Sequence, residues 1–227
     1  MRSLNWESRW TRLPEGAALP ARVDYSLLRA DAVAADIRKI CEEALTHRFY
    51  SVCVGGGWVR LAREMLSGTG VKVCAVVGFP LGATATRAKA FEASAALDDG
   101  AAEIDMVLPI GKLIDGDAEA VERDISAVVQ AVQGGALVKV ILETSLLSDD
   151  RKREGCRIAE AAGADFVQTS TGYGLSGATE ADIRLLRETV SPAMGIKASG
   201  GIRTRQAAEA LLAAGAGRIG TSTLLIQ

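Results

Sequence analysis

Four polar residues interrupt short apolar runs at places where chemistry could be done. Asp105 lies within Glu103-Ile-Asp-Met-Val107, Lys139 within Leu137-Val-Lys-Val-Ile141, Gln168 within Phe166-Val-Gln-Thr169 and Lys197 within Gly195-Ile-Lys-Ala198. A charge flanked by Val or Ile in a buried strand is costly unless it is paired or faces a polar cavity. The bland reading is a structural ion-pair network in which Asp105 neutralises one lysine. Two lysines against one carboxylate do not balance, however. Clustered cations lower each other's pKa, which makes a lysine a neutral nucleophile or a base near pH 7. Asp105, Lys139, Gln168 and Lys197 are therefore candidate catalytic residues.

A second set is rich in glycine: Thr171-Gly-Tyr-Gly174, Ser199-Gly-Gly-Ile202 and Gly220-Thr-Ser-Thr223. Backbone N–H groups in such turns, with a helix N-terminus behind them, can cradle a phosphate. Ordinary turn chemistry is the competing reading. For Gly200 and Gly201 with Ser222 and Thr223 an anion site is the stronger expectation; Gly174 does not discriminate.

The elements that must position these residues alternate. Apolar, β-branched runs at Ser51–Val54, Lys72–Val77, 103–107, 137–141, 166–169, 195–198 and 218–220 read as buried parallel strands, and Ala21-Arg-Val23 supplies an eighth. Between most of them, apolar residues recur at helical spacing, as in Val33–Leu45, Ala88–Leu97, Val121–Val132, Ile183–Val190 and Ala207–Ala213, with Asp31, Thr179 and Thr204 as expected N-caps. Glycines 100, 163 and 215 mark similar helix-to-strand joints suited to left-handed caps. Eight βα repeats imply a (β/α)₈ TIM barrel of the α/β class, spanning residues 21–227 as one domain. An open doubly wound sheet is the rival, but no GxGxxG follows the first strand. In a barrel the working groups sit at the carboxyl ends of strands, and phosphate sites often follow strands seven and eight. Gln227 follows the eighth strand closely, so the last helix is expected to be short or missing.

Composition limits the partners. With a net charge of −2 and no apolar run near the roughly 18 residues of a membrane span, neither nucleic acid nor membrane is expected as a partner. Residues 1–20 lack a secretory apolar core and read as an N-terminal arm. Its Trp6 and Trp10 are expected to pack on their own barrel; covering a subunit interface in a homo-oligomer is the other use. Cys41, Cys53, Cys74 and Cys156 show no CxxC spacing, so neither a disulfide framework nor a metal site is expected, and reduced thiols fit a cytoplasmic location. His47 is the only histidine, which nearly excludes histidine triads. No cofactor is called for, and the expected partner is a small molecule.

From about Val23 to Leu225 the chain resembles the deoxyribose-phosphate aldolases. The resemblance rests on Val23-Asp-Tyr-Ser-Leu-Leu28, Ser51-Val-Cys-Val54, Val76-Val-Gly-Phe-Pro-Leu-Gly82, Glu103-Ile-Asp-Met-Val107, Lys139-Val-Ile-Leu-Glu-Thr144, Thr169-Ser-Thr-Gly172, Lys197-Ala-Ser-Gly-Gly-Ile-Arg-Thr204 and Ile219-Gly-Thr-Ser222. Such enzymes cleave and form carbon–carbon bonds through an imine between a strand-end lysine and an aldehyde. The resemblance implies proton transfer by Asp105 and Lys197, with Lys139 supporting the same charge network. It also implies contacts of Asp24, Ser26 and Thr171 with substrate hydroxyls, Cys53 close to the pocket although packing is its commoner use, and Gly172, Gly200, Gly201, Gly220, Ser222 and Thr223 around a phosphate.

The chain departs from the family where it matters most, because Gln168 occupies the position of the imine-forming lysine. A carboxamide cannot form an imine. Tyr25 and the Gly55-Gly-Gly57 run also depart from the pattern and are expected at the pocket rim. Three readings remain open: an imine on Lys139 or Lys197, reached from strands about 4.8 Å to either side; non-covalent enolate chemistry, including cyclisation, dehydration or isomerisation, with the Gln168 amide donating to an oxyanion; or a barrel that only binds ligand, its lysine lost by divergence or by laboratory substitution.

Overall fold

The side-chain alternation along each strand decides how the chain folds, because one face is apolar throughout and the other carries the polar residues. In the computed structural model, which describes residues 17–225, eight parallel strands form a closed barrel in sequence order. They are β1 (Val23–Leu27), β2 (Ser51–Val54), β3 (Lys72–Val77), β4 (Glu103–Val107), β5 (Leu137–Ile141), β6 (Phe166–Gln168), β7 (Gly195–Ser199) and β8 (Arg218–Thr221). Pairing of Val23 with Ile219 and of Asp24 with Gly220 joins the first strand to the last, which excludes the open sheet.

Helices α1 (Ala34–His47), α2 (Val59–Met65), α3 (Thr86–Asp98), α4 (Ile110–Asp115), α5 (Ala118–Ala131), α6 (Asp149–Ala161), α7 (Glu180–Thr189) and α8 (Arg205–Ala213) surround the barrel. Outward strand residues such as Val52, Val73, Ile104, Val140, Val167, Ile196 and Ile219 join helix residues such as Ile37, Ile125, Ile183 and Leu186 in one buried apolar shell. At roughly 25 cal/mol per Å² of apolar area, this shell supplies the main drive to fold. The opposite faces of the same strands point into the barrel, and there the polar residues collect.

Two local expectations need correction. The first strand begins at Val23, where Ala21–Val23 was expected to end, because Leu19–Arg22 forms a 3₁₀ turn with Pro20 near its start. Asp31 does not cap α1; its carboxylate pairs with Arg29 at 2.7 Å, while Asp36 accepts from the Val33 N–H at 3.0 Å. Thr179 and Thr204 do cap α7 and α8, accepting from the N–H of Asp182 and Ala207. Gly100, Gly163 and Gly215 have positive φ at the helix-to-strand joints. The arm expected over residues 1–20 falls mostly outside the described residues, as do Trp6 and Trp10. Among the described residues no helix follows β8, and none is long and apolar enough to cross a membrane.

Candidate active site

Strand register sets the heights of the inward residues. Asp105 pairs with Lys139, Gln168 with Lys197, and Lys197 with Arg218. In the middle of the barrel three carboxylates meet three cations. Lys197 Nζ lies 2.5 Å from Asp105 Oδ2 and 2.8 Å from Asp24 Oδ2. Lys139 Nζ lies 2.6 Å from Glu103 Oε2 and 2.8 Å from Asp105 Oδ1. Arg218 closes the network from below, 2.7 Å from Asp24 Oδ1 and stacked on the Tyr50 ring. Glu103 and Arg218 are not marked out by the sequence. Both sit at the starts of their strands, where a charge usually reaches solvent, and only the register shows that they face inward.

The balance of three against three overturns the expectation that the lysines depress each other. Burial pushes the Lys197 ammonium toward neutrality, but the carboxylates of Asp105 and Asp24 outweigh it and raise its pKa above the usual lysine range. Lys139 shifts the same way: burial lowers its pKa, and Asp105, the Cys74 thiol, Glu103 and Asp24 more than reverse that. Burial raises Asp24, yet Arg218, Lys197 and Lys139 together hold it well below the ordinary carboxylate range. Asp105 is likewise held low by Lys139 and Lys197 against its burial. Both lysines are therefore ammonium ions at neutral pH, and neither is poised to attack a carbonyl.

Stability follows from these directions. The raised lysines contribute stability that is fully present below about pH 10 and is lost only as the pH climbs through their folded-state values. The depressed aspartates contribute stability present above about pH 4, lost as the pH falls through their folded-state values. The urea midpoint of unfolding is accordingly expected to be flat from about pH 5 to 9 and to fall in acid below about pH 4. A midpoint dropping between pH 5 and 7 would show that a member of the network titrates near neutrality.

Above the network, Gln168 is buried and its orientation is set by its neighbour. The Ser199 hydroxyl donates to the Ser170 carbonyl at 2.5 Å, which uses its single proton. Its oxygen can then only accept from Gln168, and Gln168 Nε2 lies 2.9 Å away. Gln168 Oε1 is left buried with no partner among the described residues. One of the two amide N–H bonds is thus already committed, and the free end is an acceptor. This is a poor arrangement for holding an oxyanion, so the geometry gives no support to the Gln168 amide as a preorganised oxyanion donor.

A cavity of about 860 Å³ opens over the carboxyl ends of the strands. Ser26, Cys53, Asp105, Gln168, Thr171 and Lys197 line it, as do the glycine-rich turns with Gly172, Gly200, Gly201, Gly220, Ser222 and Thr223. The structure refines four expectations. Lys139 belongs to the charge network but is fully buried beneath the cavity and does not line it, because its amine is drawn down between Glu103 and Asp105. Asp24 is also fully buried, accepting from Ser51 at 2.6 Å and pairing with cations, so it does not face substrate hydroxyls. Thr171 reaches the cavity but gives its hydroxyl proton to Glu143 at 2.5 Å. The Gly55–Gly57 run does not line the cavity, and an added Cβ there would meet nothing within 4 Å. Tyr25 does line the wall, with its hydroxyl donating to Glu43 at 2.9 Å.

Two further residues matter that residue type and spacing do not reveal. Ser199 fixes the orientation of Gln168. Glu143 stands in a left-handed conformation with φ of 56° and holds the Thr171 N–H and hydroxyl, which pins the turn after β6. A non-glycine residue at positive φ with a buried, unpartnered Oε1 points to it, and sequence displays neither. Gly220 keeps space open for its neighbours, since a Cβ there would come within 2.9 Å of both Lys197 Cε and Ser199 Cβ. Gly220→Ala is expected to displace the Lys197 ammonium and to cost about 1–3 kcal/mol by overpacking. Unchanged thermal stability and ligand affinity in that variant would contradict this.

A closed eight-stranded barrel whose cavity at the carboxyl ends holds a lysine–carboxylate pair beside glycine-rich turns defines a class: barrel lyases of the aldolase type. A family model described as DeoC/LacD family aldolase matches residues 21–226. The chain is 55% identical over 201 residues to a deoxyribose-phosphate aldolase of Geobacillus sp. (strain WCH70), covering 88% of this chain and 90% of that one. It is 54% identical over 200 residues to one of Bacillus cereus (strain AH187), with the same shares covered. The tetrameric deoxyribose phosphate aldolase of Aeropyrum pernix superposes with a TM-score of 0.83 at 37% identity, over 90% of this chain and 86% of that one. The chain belongs to the DeoC/LacD aldolase family, and its function is aldolase-like.

Proposed function

We propose that the cavity binds a small phosphorylated hydroxy-aldehyde and that the enzyme makes or breaks the bond between its α- and β-carbons without an imine on Gln168. One observation carries this reading: the Lys197 ammonium reaches the cavity wall, 2.5 Å from Asp105 and between the glycine-rich turns. The N–H groups of Gly172, Gly201 and Ser222 take part in no hydrogen bond among the described residues, so they are available to phosphate oxygens. With the phosphate there, Lys197 polarises the carbonyl and carries the enolate charge that builds up in the transition state. Asp105 accepts the proton of the β-hydroxyl. Its depressed pKa makes it a weak base, so turnover is expected to be slow.

The deciding experiment is retro-aldol cleavage of deoxyribose 5-phosphate, run with and without borohydride. Slow cleavage that leaves no trapped lysine supports the reading. A reduced adduct on Lys197 would overturn the non-covalent step, and absence of cleavage at any enzyme concentration would overturn the activity. Self-association is proposed only on the likeness to the tetrameric Aeropyrum pernix aldolase, and light scattering decides it. Four buried free thiols among the described residues support a reducing, cytoplasmic setting.

A further inference from the structure

Cys53 and Cys74 are 21 positions apart in sequence, yet they are register partners on β2 and β3 and both face into the barrel. Their thiols meet the two oxygens of one carboxylate. Cys74 Sγ lies 3.2 Å from Asp105 Oδ1, and Cys53 Sγ lies 3.9 Å from Asp105 Oδ2. One ligand atom from each of the three residues falls within 4.8 Å of the others. All three residues are buried.

We propose that Cys53, Cys74 and Asp105 form a binding site for a single thiophilic divalent cation such as Zn²⁺. In a tetrahedral site with metal–sulfur bonds of about 2.3 Å and metal–oxygen bonds of about 2.0–2.2 Å, ligand atoms stand about 3.5–3.8 Å apart. The thiols need to move by about an ångström or less to meet that geometry. The ion takes the place of two thiol protons: two S–H bonds break, two metal–sulfur bonds form, two protons pass to solvent and no electron is transferred.

Charge is the obvious objection, since Lys139 and Lys197 already hold the same carboxylate. The surrounding network is neutral, with Asp24, Glu103 and Asp105 against Lys139, Lys197 and Arg218. A divalent cation with two thiolates is also neutral, so its entry leaves the total unchanged. The two ammonium groups then act as outer partners that fix the carboxylate; burial, Cys53 and Asp105 hold the Cys74 thiol well above its usual range although Lys139 Nζ lies 3.5 Å from its sulfur, so the metal itself must displace that proton. Two sulfur ligands select Zn²⁺ or Cd²⁺ over Mg²⁺ and Ca²⁺. Cys53 and Asp105 line the cavity, which provides an entry path and an open fourth position. The metal site shares Asp105 with the proposed reaction, so bound Zn²⁺ would block that proton transfer; cleavage is therefore assayed on metal-free enzyme and metal binding without substrate, and failure of one is distinguishable from failure of the other.

The test uses the full chain, stripped of metal and reduced with a phosphine. Zn²⁺ is titrated against a competing chelator, and Co²⁺ serves as the spectroscopic probe. The expected result is one Zn²⁺ per chain, a thiolate-to-cobalt charge-transfer band and the intense visible bands of tetrahedral Co²⁺. Cys53→Ser should weaken binding about 10²-fold and remove much of the charge-transfer band; losing even an outer partner of a metal site typically costs about 10–100-fold. Cys74→Ser should do the same, and because its site is fully buried, Cys53→Ser is the deciding variant if Cys74→Ser does not fold. The double variant Cys41→Ser/Cys156→Ser should keep both signals. Octahedral cobalt spectra, no binding stronger than that of Mg²⁺, or binding that survives Cys53→Ser and disappears with Cys41 and Cys156 would each overturn the site.

Discussion

Gln168→Lys is expected to raise retro-aldol turnover of deoxyribose 5-phosphate by about 10³-fold or more and to give a borohydride-trapped adduct at position 168. The magnitude reflects how much a covalent nucleophile contributes to a catalytic unit, which reaches about 10⁶ in turnover when it is removed. The reason lies in the charge balance below it. Lys139 and Lys197 have carboxylates within 2.9 Å and remain charged, whereas no carboxylate bonds to Gln168 among the described residues. A new amine at that height would have the Lys197 ammonium beside it on the adjacent strand and little solvent, and both lower its pKa. It would therefore be the one neutral amine in the site at neutral pH. Mass mapping of the reduced peptide checks the position. Turnover no higher than that of the unaltered chain would show that the pocket has changed beyond residue 168.

Lys139→Met is expected to cost about 3–5 kcal/mol of stability, because it leaves Glu103 and Asp105 buried with too little opposing charge. For a domain of this size that lowers the melting temperature by roughly 10 °C. Adding Glu103→Gln to Lys139→Met removes one orphaned carboxylate and should recover about 1 kcal/mol or more, which a double-mutant cycle measures directly. Because Lys139 does not line the cavity, turnover per folded molecule should fall far less than stability does. A variant that melts normally but has lost turnover would return Lys139 to the chemistry and contradict the structural assignment.

Much of the fold is legible because hydrophobic pattern is a local property. The runs 51–54, 72–77, 103–107 and 137–141 match β2 to β5 residue for residue, and the polar residues within them mark the inward face. The first strand is harder to place because Pro20 and a 3₁₀ turn compete with an apolar residue, Val23, that marks only a boundary. In the site, the residues lining the cavity are largely legible, since strand ends and glycine-rich turns have a known place in a barrel. Lys139, expected among the catalytic residues, and Asp24, which the resemblance places at substrate hydroxyls, both lie below the cavity because how far a side chain rises along the barrel axis depends on which partners pull on it. Glu103 and Arg218, invisible as partners in the sequence, supply that pull.

The sequence by itself determined the eight-fold alternation, the inward polar residues and the loss of an amine at Gln168, since each is a matter of residue type and spacing. The tertiary structure decided the charge state of that site. Asp24 and Glu103 stand far apart in the chain, and only closure of the barrel brings them within 4 Å of the lysines, with Arg218 beside Asp24, and keeps the expected nucleophiles as ammonium ions. It also brings two of the cysteines together. Spacing in the chain argued against a metal site, while register across two strands sets Cys53 beside Cys74 over Asp105. Electrostatics and ligation depend on distances through space, and those exist only once the barrel has closed.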